Sequence, residues 1–409
     1  MTQPNHLIPV IHFAEPRMVR GQGSYLFDTD GKRYLDLTSG QFCTVLGHSN
    51  AWVQDRVEES TRKLAHTSTA VLAETVVACS EELNRISGPM NAYSIILSTG
   101  AEVVEFCLRY AKNIQGKSGI LCFDNGYHGL TLGAQSVTFG GRYAQPEVGN
   151  IYSVPVPPTN ATGEQVAESL AGVEDALSRN PDIAAFLVEP IVSVGGMVFP
   201  PAVWFQKVRD LCDKYGVLFV LDECQTGFGR TGDWFAYETY GFVPDMVATA
   251  KGIGLGYPVA VALFRDSLVE NKSYGMTHYS SHQNDAFGAS IIMAGIEFIE
   301  KNDVLAQVRE KSGRILKLLA NLAESNPHVV DPRGCGMMFG ADLFFDGVSD
   351  YRAIYADLNA RMMEHGVLLQ GTNGGRTLRF LPDYLIDVDA VGEAFDILGS
   401  VLNTEIAGV

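Results

Sequence analysis

VLFVLDECQTGFGRTGDWFAYETYGFVPDMVATAKGIG, residues 217–254, is the stretch that decides the fold. It opens on VLFVL (217–221) and closes through MVATA (246–250), two short runs that are apolar almost throughout. A run that does not alternate reads as a strand covered on both faces, as in a mainly parallel sheet. Each run stops at a charged residue, Asp222 after the first and Lys251 after the second. A lysine at a strand end ordinarily reaches water. A carboxylate behind four large apolar residues is different, because burying it is costly unless it meets a cation or hydrogen-bond donors. Arg230, near in sequence, is one candidate partner for Asp222; a protonated ring nitrogen of a ligand is the other.

The same pattern recurs outward from this stretch. AYSIILS (92–98), GILCF (119–123), IAAFLVEP (183–190) and VAVALF (259–264) are further strand candidates. AEVVEFCLRYAKNI (101–114) and PAVWFQKVRDLCDKYG (201–216) lie between them with helical spacing. This alternation predicts an α/β fold with helices on both faces of one sheet. Toward the N-terminus, YLFDTDGKRYLDL (25–37) predicts a hairpin turning at Asp30-Gly31, and residues 51–87 read as helical. Past residue 300 a helical stretch leads into PRGCGMMFGADLFF (332–345), GVLLQG (366–371) and RTLRFLP (376–382). The amphipathic segment DVDAVGEAFDILGSVL (387–402) then completes a smaller α+β unit. The expected division is an N-terminal segment (1–60) that joins the small domain and the active site, a large domain (61–300) and a small C-terminal domain (301–409).

Bulk composition narrows the function. The chain has 409 residues, 46% hydrophobic and only 19% charged, which suits a large core or a large subunit interface. A net charge of −17 opposes binding to nucleic acid or to anionic lipid. Seven scattered cysteines without a CxxC favour a reducing compartment over a disulfide framework or zinc site. The first residues lack a secretory pattern and no apolar run reaches 18 residues, so the expectation is a cytoplasmic protein with no membrane partner.

In open α/β sheets, ligands sit beyond the carboxyl ends of the strands. There the sequence places Thr99-Gly100-Ala101 at a helix start, Tyr127-His128, Glu189, Asp222 with Gln225, and Lys251. A small-residue helix N-terminus favours a phosphate. A phosphate cradle, an aromatic ring to stack on, a buried aspartate and a strand-end lysine match the needs of pyridoxal phosphate. Its aldehyde condenses with a lysine, and its ring nitrogen needs an acidic partner to act as an electron sink.

With these residues in place, LDECQTGFGRTGDWFAYETYGFVPDMVATAKGIGLGYPVA (221–260) resembles the signature region of class III aminotransferases, which have the type I pyridoxal phosphate fold. The resemblance runs from about residue 20 to the C-terminus. It implies that Lys251 holds the cofactor and shuttles protons, Asp222 pairs with the pyridinium and Gln225 bonds the phenolic oxygen. It further implies that Gly100 and Ala101 bind the phosphate and that Tyr127 stacks on the ring. Ser281 matches a threonine that reaches the phosphate of a neighbouring subunit, which implies a homodimer, or a dimer of dimers, with shared sites. Arg379 matches the carboxylate-binding arginine.

Within the class, LDLTSGQFCTVLGH (35–48), ILSTGAE (96–102) and SSHQND (280–285) are most similar to the dialkylglycine decarboxylase branch. That similarity assigns Gln41 to the substrate carboxylate and Glu189 to its support. It also makes Thr69 and Asp285 candidate ligands of a potassium or sodium ion. The expected activity is amino-group transfer between an amino acid and a 2-keto acid, with loss of carbon dioxide from the donor. Ordinary transamination and racemisation or epimerisation are the alternatives. Tyr127, Leu130, Val194, Val104 and Ala286 depart from the residues usual at these places. Leu130 stands where acylornithine aminotransferases carry an arginine, which disfavours an acylornithine substrate. His48, His128 and His282 are read as structural.

Overall fold

The protein is described from a computed structural model covering residues 8, 16–140, 148–269 and 278–404. In chain order the strands are β1 Met18–Gln22, β2 Tyr25–Asp28, β3 Arg33–Asp36, β4 Tyr93–Leu97, β5 Gly119–Phe123, β6 Ile151–Val154, β7 Ile183–Val188 and β8 Leu218–Asp222. They continue as β9 Met246–Thr249, β10 Ala260–Phe264, β11 Val329–Cys335, β12 Met338–Leu343, β13 Val367–Leu368, β14 Gln370–Thr372 and β15 Thr377–Phe380. The central sheet has the order β4-β10-β9-β8-β7-β5-β6. Every pairing from β9 to β6 is parallel. β10 alone runs the other way, antiparallel to both β4 and β9.

Strand parity shows why these runs are apolar throughout. Leu121 and Phe123, Phe186 and Val188, and Phe219 and Leu221 feed one core, together with Trp204, Phe205 and Val208 of the helix Ala202–Tyr215. Their alternates, Ile120 and Cys122, Ala185 and Leu187, and Leu218 and Val220, feed a second core under the helix Gly100–Gln115. With both faces buried, these strands carry apolar side chains at both parities. Asp222 shares the parity of Leu218 and Val220 and therefore faces the Gly100–Gln115 side.

β1, β2 and β3 form a hairpin sheet that β13 joins in parallel through Leu35 and Asp36, tying the N-terminal segment to the C-terminal part of the chain. The other C-terminal strands make an antiparallel sheet, β11-β12-β15-β14, packed under the helices Val304–Ser325 and Val388–Leu402.

Two expectations are corrected. The helical reading of residues 51–87 splits into Ala51–Lys63 and Glu74–Ile86. The linker between them holds Thr67 and Ser68, whose hydroxyls bond local backbone (Thr67 Oγ1 to Val71 O at 2.9 Å) and so compete with the helix. β6 was not foreseen, because IYSV is a short edge strand, partly exposed and without a continuous apolar run.

Candidate active site

β4, β5, β7, β8 and β9 all finish on one rim of the sheet, and the reversed β10 begins there. A cavity of about 360 Å³ opens at this rim. It is lined by Gly100, Ala101, Tyr127, Asp222, Gln225 and Lys251, so six expected site residues share one space. Tyr257, Pro258 and Val259 line it as well. They were missed because the sequence does not show that β10 runs in reverse and brings its start, rather than its end, to the rim.

The turn before the helix Gly100–Gln115 is built for close approach. Thr99 caps the helix, its hydroxyl accepting from Glu102 N at 3.3 Å. The N–H groups of Gly100 and Ala101 fall in the first turn, where no intrahelical acceptor exists. A Cβ on Gly100 would come within 3.1 Å of Cys224 Sγ and 3.3 Å of Ala250 Cβ, so glycine lets the turn sit against β8 and β9.

Asp222 is 5% exposed. Its Oδ2 meets His128 Nδ1 at 2.8 Å and its Oδ1 accepts from Cys224 N at 3.0 Å. Burial works against the charge, but the His128 hydrogen bond and the Lys251 charge outweigh it and hold the carboxyl below its ordinary range. Arg230, a candidate partner from sequence, is elsewhere. Its guanidinium donates to the carbonyls of Met337, Pro382 and Phe42. His128 is thus a pocket residue as well as a structural one. Its pairing was hidden because 94 residues separate it from Asp222.

Glu189 lies behind the cavity. It accepts from Tyr127 N at 2.8 Å and stands 3.5 Å from Gln225 Nε2. Complete burial pushes its carboxyl up to about 7, against the lowering effect of His128 and the Tyr127 amide. His128 Nε2 and Gln225 Oε1 are buried with no partner among the described residues.

Lys251 begins a 3₁₀ turn, Lys251–Gly254, with φ +52°. This left-handed conformation is unfavourable for a residue with a Cβ and is typical of side chains held for function.

Gln41 lies in a second unusual place. Ser39, Gly40, Gln41 and Phe42 form one left-handed turn with φ of 46°, 54°, 63° and 70°. Gln41 is exposed, while Phe42 is buried with its ring centre 6.0 Å from Lys251 Nζ and 6.0 Å from the Arg379 guanidinium. Arg379, on β15, donates to Ser193 Oγ and Gln370 Oε1, both at 3.0 Å. Its guanidinium is buried, and the partners it bonds are neutral.

Ser281 is exposed and does not line the cavity. Thr69 donates to the Ser280 carbonyl at 2.8 Å. Asp285 caps the helix Ala286–Lys301 through Phe287 N and bonds His66 and His282 with its other oxygen. Thr69 and Asp285 therefore flank one segment without sharing a bond.

Residues 12–402 match the class III aminotransferase family. The chain belongs to that family. This class III aminotransferase is 32% identical over 380 residues to an acetylornithine aminotransferase of Archaeoglobus fulgidus, covering 93% of each chain. It is 30% identical over 383 residues to the LysW-aminoadipate semialdehyde/glutamate semialdehyde transaminase of Sulfolobus acidocaldarius, again covering 93% of each. An amine transaminase from an uncultivated Pseudomonas species, solved in its PLP-bound form, superposes with a TM-score of 0.88 at 25% identity, covering 97% of this chain and 98% of that one. Its α/β architecture is the type I fold of the class. Among the described residues of the aminotransferase, no helix is long and apolar enough to cross a membrane.

Proposed function

We propose that the protein is a pyridoxal phosphate-dependent enzyme that passes an amino group from an amino acid to a 2-keto acid. One observation carries this reading: a single cavity is lined at once by Lys251, Asp222, Tyr127 and the Gly100-Ala101 turn. When bound, pyridoxal phosphate supplies a reactive aldehyde and a ring that draws electrons from the substrate Cα.

The residues fit that group. The helix start at Gly100 presents unpaired N–H groups to a phosphate. Each carboxylate oxygen can accept about two hydrogen bonds. Asp222 uses one on each through His128 and Cys224, which leaves capacity for a ring N–H. Tyr127 borders the same space and offers a face for stacking, and Gln225 brings an amide with an unpaired oxygen. Lys251 would supply the amine that holds the aldehyde, and would move a proton at the substrate Cα. Arg379, a buried cation bonded to neutral partners, would be completed by a substrate carboxylate.

A second reading, loss of the donor's carboxylate as carbon dioxide, is favoured by the turn at Ser39–Phe42. That turn seats Phe42, the residue after Gln41, with its ring 6.0 Å from both Lys251 Nζ and the Arg379 guanidinium. Gln41 binding the donor's carboxylate would favour loss of that carboxylate, whereas Arg379 binding it would favour proton removal at Cα by Lys251.

We also infer a homodimer. Leu64, Val71, Leu72 and Tyr279 are large apolar side chains exposed to solvent in the segments that flank Thr69 and Ser281. Ser281, exposed in one of these segments, would then face the second copy.

The test uses the purified protein with added pyridoxal phosphate. A yellow absorbance is expected, with borohydride fixing the coenzyme to Lys251. Lys251→Ala should abolish the fixation and cut amino transfer by at least about 100-fold. Absence of both signals in the wild type would overturn the reading. Offering 2-aminoisobutyrate with pyruvate separates the two forms. That donor has no Cα–H, so carbon dioxide and alanine appear only if the carboxylate is lost. Inertness toward it beside active L-alanine transfer removes decarboxylation alone.

A further inference from the structure

Away from the cofactor cavity, two imidazoles converge on one carboxylate oxygen. His66 Nδ1 lies 2.8 Å and His282 Nδ1 2.7 Å from Asp285 Oδ2. Donor atoms of the three residues all lie within 4.8 Å of one another, and the two rings have centroids 4.9 Å apart. His66 comes from the linker between the helices Ala51–Lys63 and Glu74–Ile86, while His282 and Asp285 precede the helix Ala286–Lys301. Exposed histidines on separate segments ordinarily turn to water. Here His66 is 45% and His282 66% exposed, yet both turn to the same buried oxygen.

The donor set decides the kind of ion. Alkali and alkaline-earth cations take oxygen ligands. Two imidazole nitrogens and one carboxylate oxygen suit zinc and its neighbours, with water completing the shell. Metal–ligand bonds of about 2.0–2.2 Å in a tetrahedral shell would set the donors roughly 3.3 Å apart. The present nitrogen–oxygen separations are shorter by about half an ångström, a gap that small ring movements on exposed side chains can open.

The location suggests what the ion does. Asn284 pairs with Ile96 through both backbone and side chain, so the 280–285 segment lies against β4, just before the Thr99-Gly100 turn. Thr69 bonds the Ser280 carbonyl from the linker side. We propose that His66, His282 and Asp285 form a structural site for a zinc-type divalent cation, which clamps the 64–73 linker and the Ser281 segment to the edge of the central sheet. This site does not depend on the cofactor reading above.

The experiment uses the untagged, full-length protein with its cofactor, stripped with chelator and titrated with Zn(II) and, separately, Co(II). About one equivalent per chain should bind, Co(II) should develop the visible absorption of a low-coordinate nitrogen and oxygen site, and the melting temperature should rise. His66→Gln and His282→Gln should each weaken binding at least about tenfold and remove the thermal shift, with the far-UV circular dichroism retained as evidence of folding. Failure to bind either ion, or binding that survives both histidine substitutions, overturns the proposal.

Discussion

At the scale of single residues, Asp222 and Glu189 show how environment sets charge. Both are buried carboxyls at the ends of adjacent strands. Asp222 has an imidazole on one oxygen, an amide on the other and Lys251 nearby, and these outweigh its burial. Glu189 is as deeply buried, and although His128, the Tyr127 amide at 2.8 Å and Lys251 favour its charge, burial prevails and pushes its carboxyl up to about 7. A carboxyl whose folded value is raised from 4.5 to about 7 adds stability below the lower value and loses it as the pH climbs through the upper. Glu189→Gln keeps an oxygen for Tyr127 N and has no charge to bury. The variant apoprotein should therefore gain on the order of 2 kcal/mol over wild type at pH 8, with the advantage vanishing near pH 5. Thermal melts across that range check this, and a difference independent of pH would refute the assignment.

At the scale of elements, one carboxylate builds the Ser39–Phe42 turn. Asp36 accepts from Thr38 N at 2.8 Å, Thr38 Oγ1 at 2.6 Å and Gly40 N at 3.0 Å, and meets His48 Nε2 at 2.8 Å. Three non-glycine residues in the left-handed region cost roughly 1 kcal/mol or more each, which these bonds offset. Asp36→Ala should let the turn relax and carry Phe42 and Gln41 with it, at a cost of about 2 kcal/mol in stability. Amino transfer should then fall while the cofactor absorbance at Lys251 remains. Steady-state kinetics beside absorption spectra distinguish this from general unfolding, and an unchanged kcat/KM would show that the turn does not shape the site. The readable part of these elements was their apolar runs, since continuous burial leaves a continuous signal. The turn itself has a polar sequence, TSGQ, and its geometry depends on an aspartate held by β3 and on a histidine twelve residues further on.

At the scale of the whole molecule, the exposed apolar residues Leu64, Val71, Leu72 and Tyr279 set an expectation for assembly. The protein should sediment at twice its chain mass of 44.4 kDa. Leu72→Asp combined with Tyr279→Asp places two charges in that surface. It should yield a monomer with lower activity per chain, because Ser281 would no longer meet a partner. Sedimentation velocity run beside activity assays reads both quantities. A wild-type monomer with full activity would exclude shared sites.

The sequence by itself determined six of the seven central strands, the residues that follow them and the family of the chain. Each of these rests on local information: unbroken apolar runs, short turns after them, and a dense run of motif residues from Asp222 to Lys251. Only the tertiary structure decided which groups meet. It paired Asp222 with His128 rather than Arg230, brought the start of β10 to the cavity, set the Phe42 ring near both Lys251 and Arg379, and drew His66 to Asp285. Those meetings join residues tens to hundreds of positions apart. Their partners are chosen by sheet order, strand direction and packing, and none of these leaves a mark on the neighbouring letters.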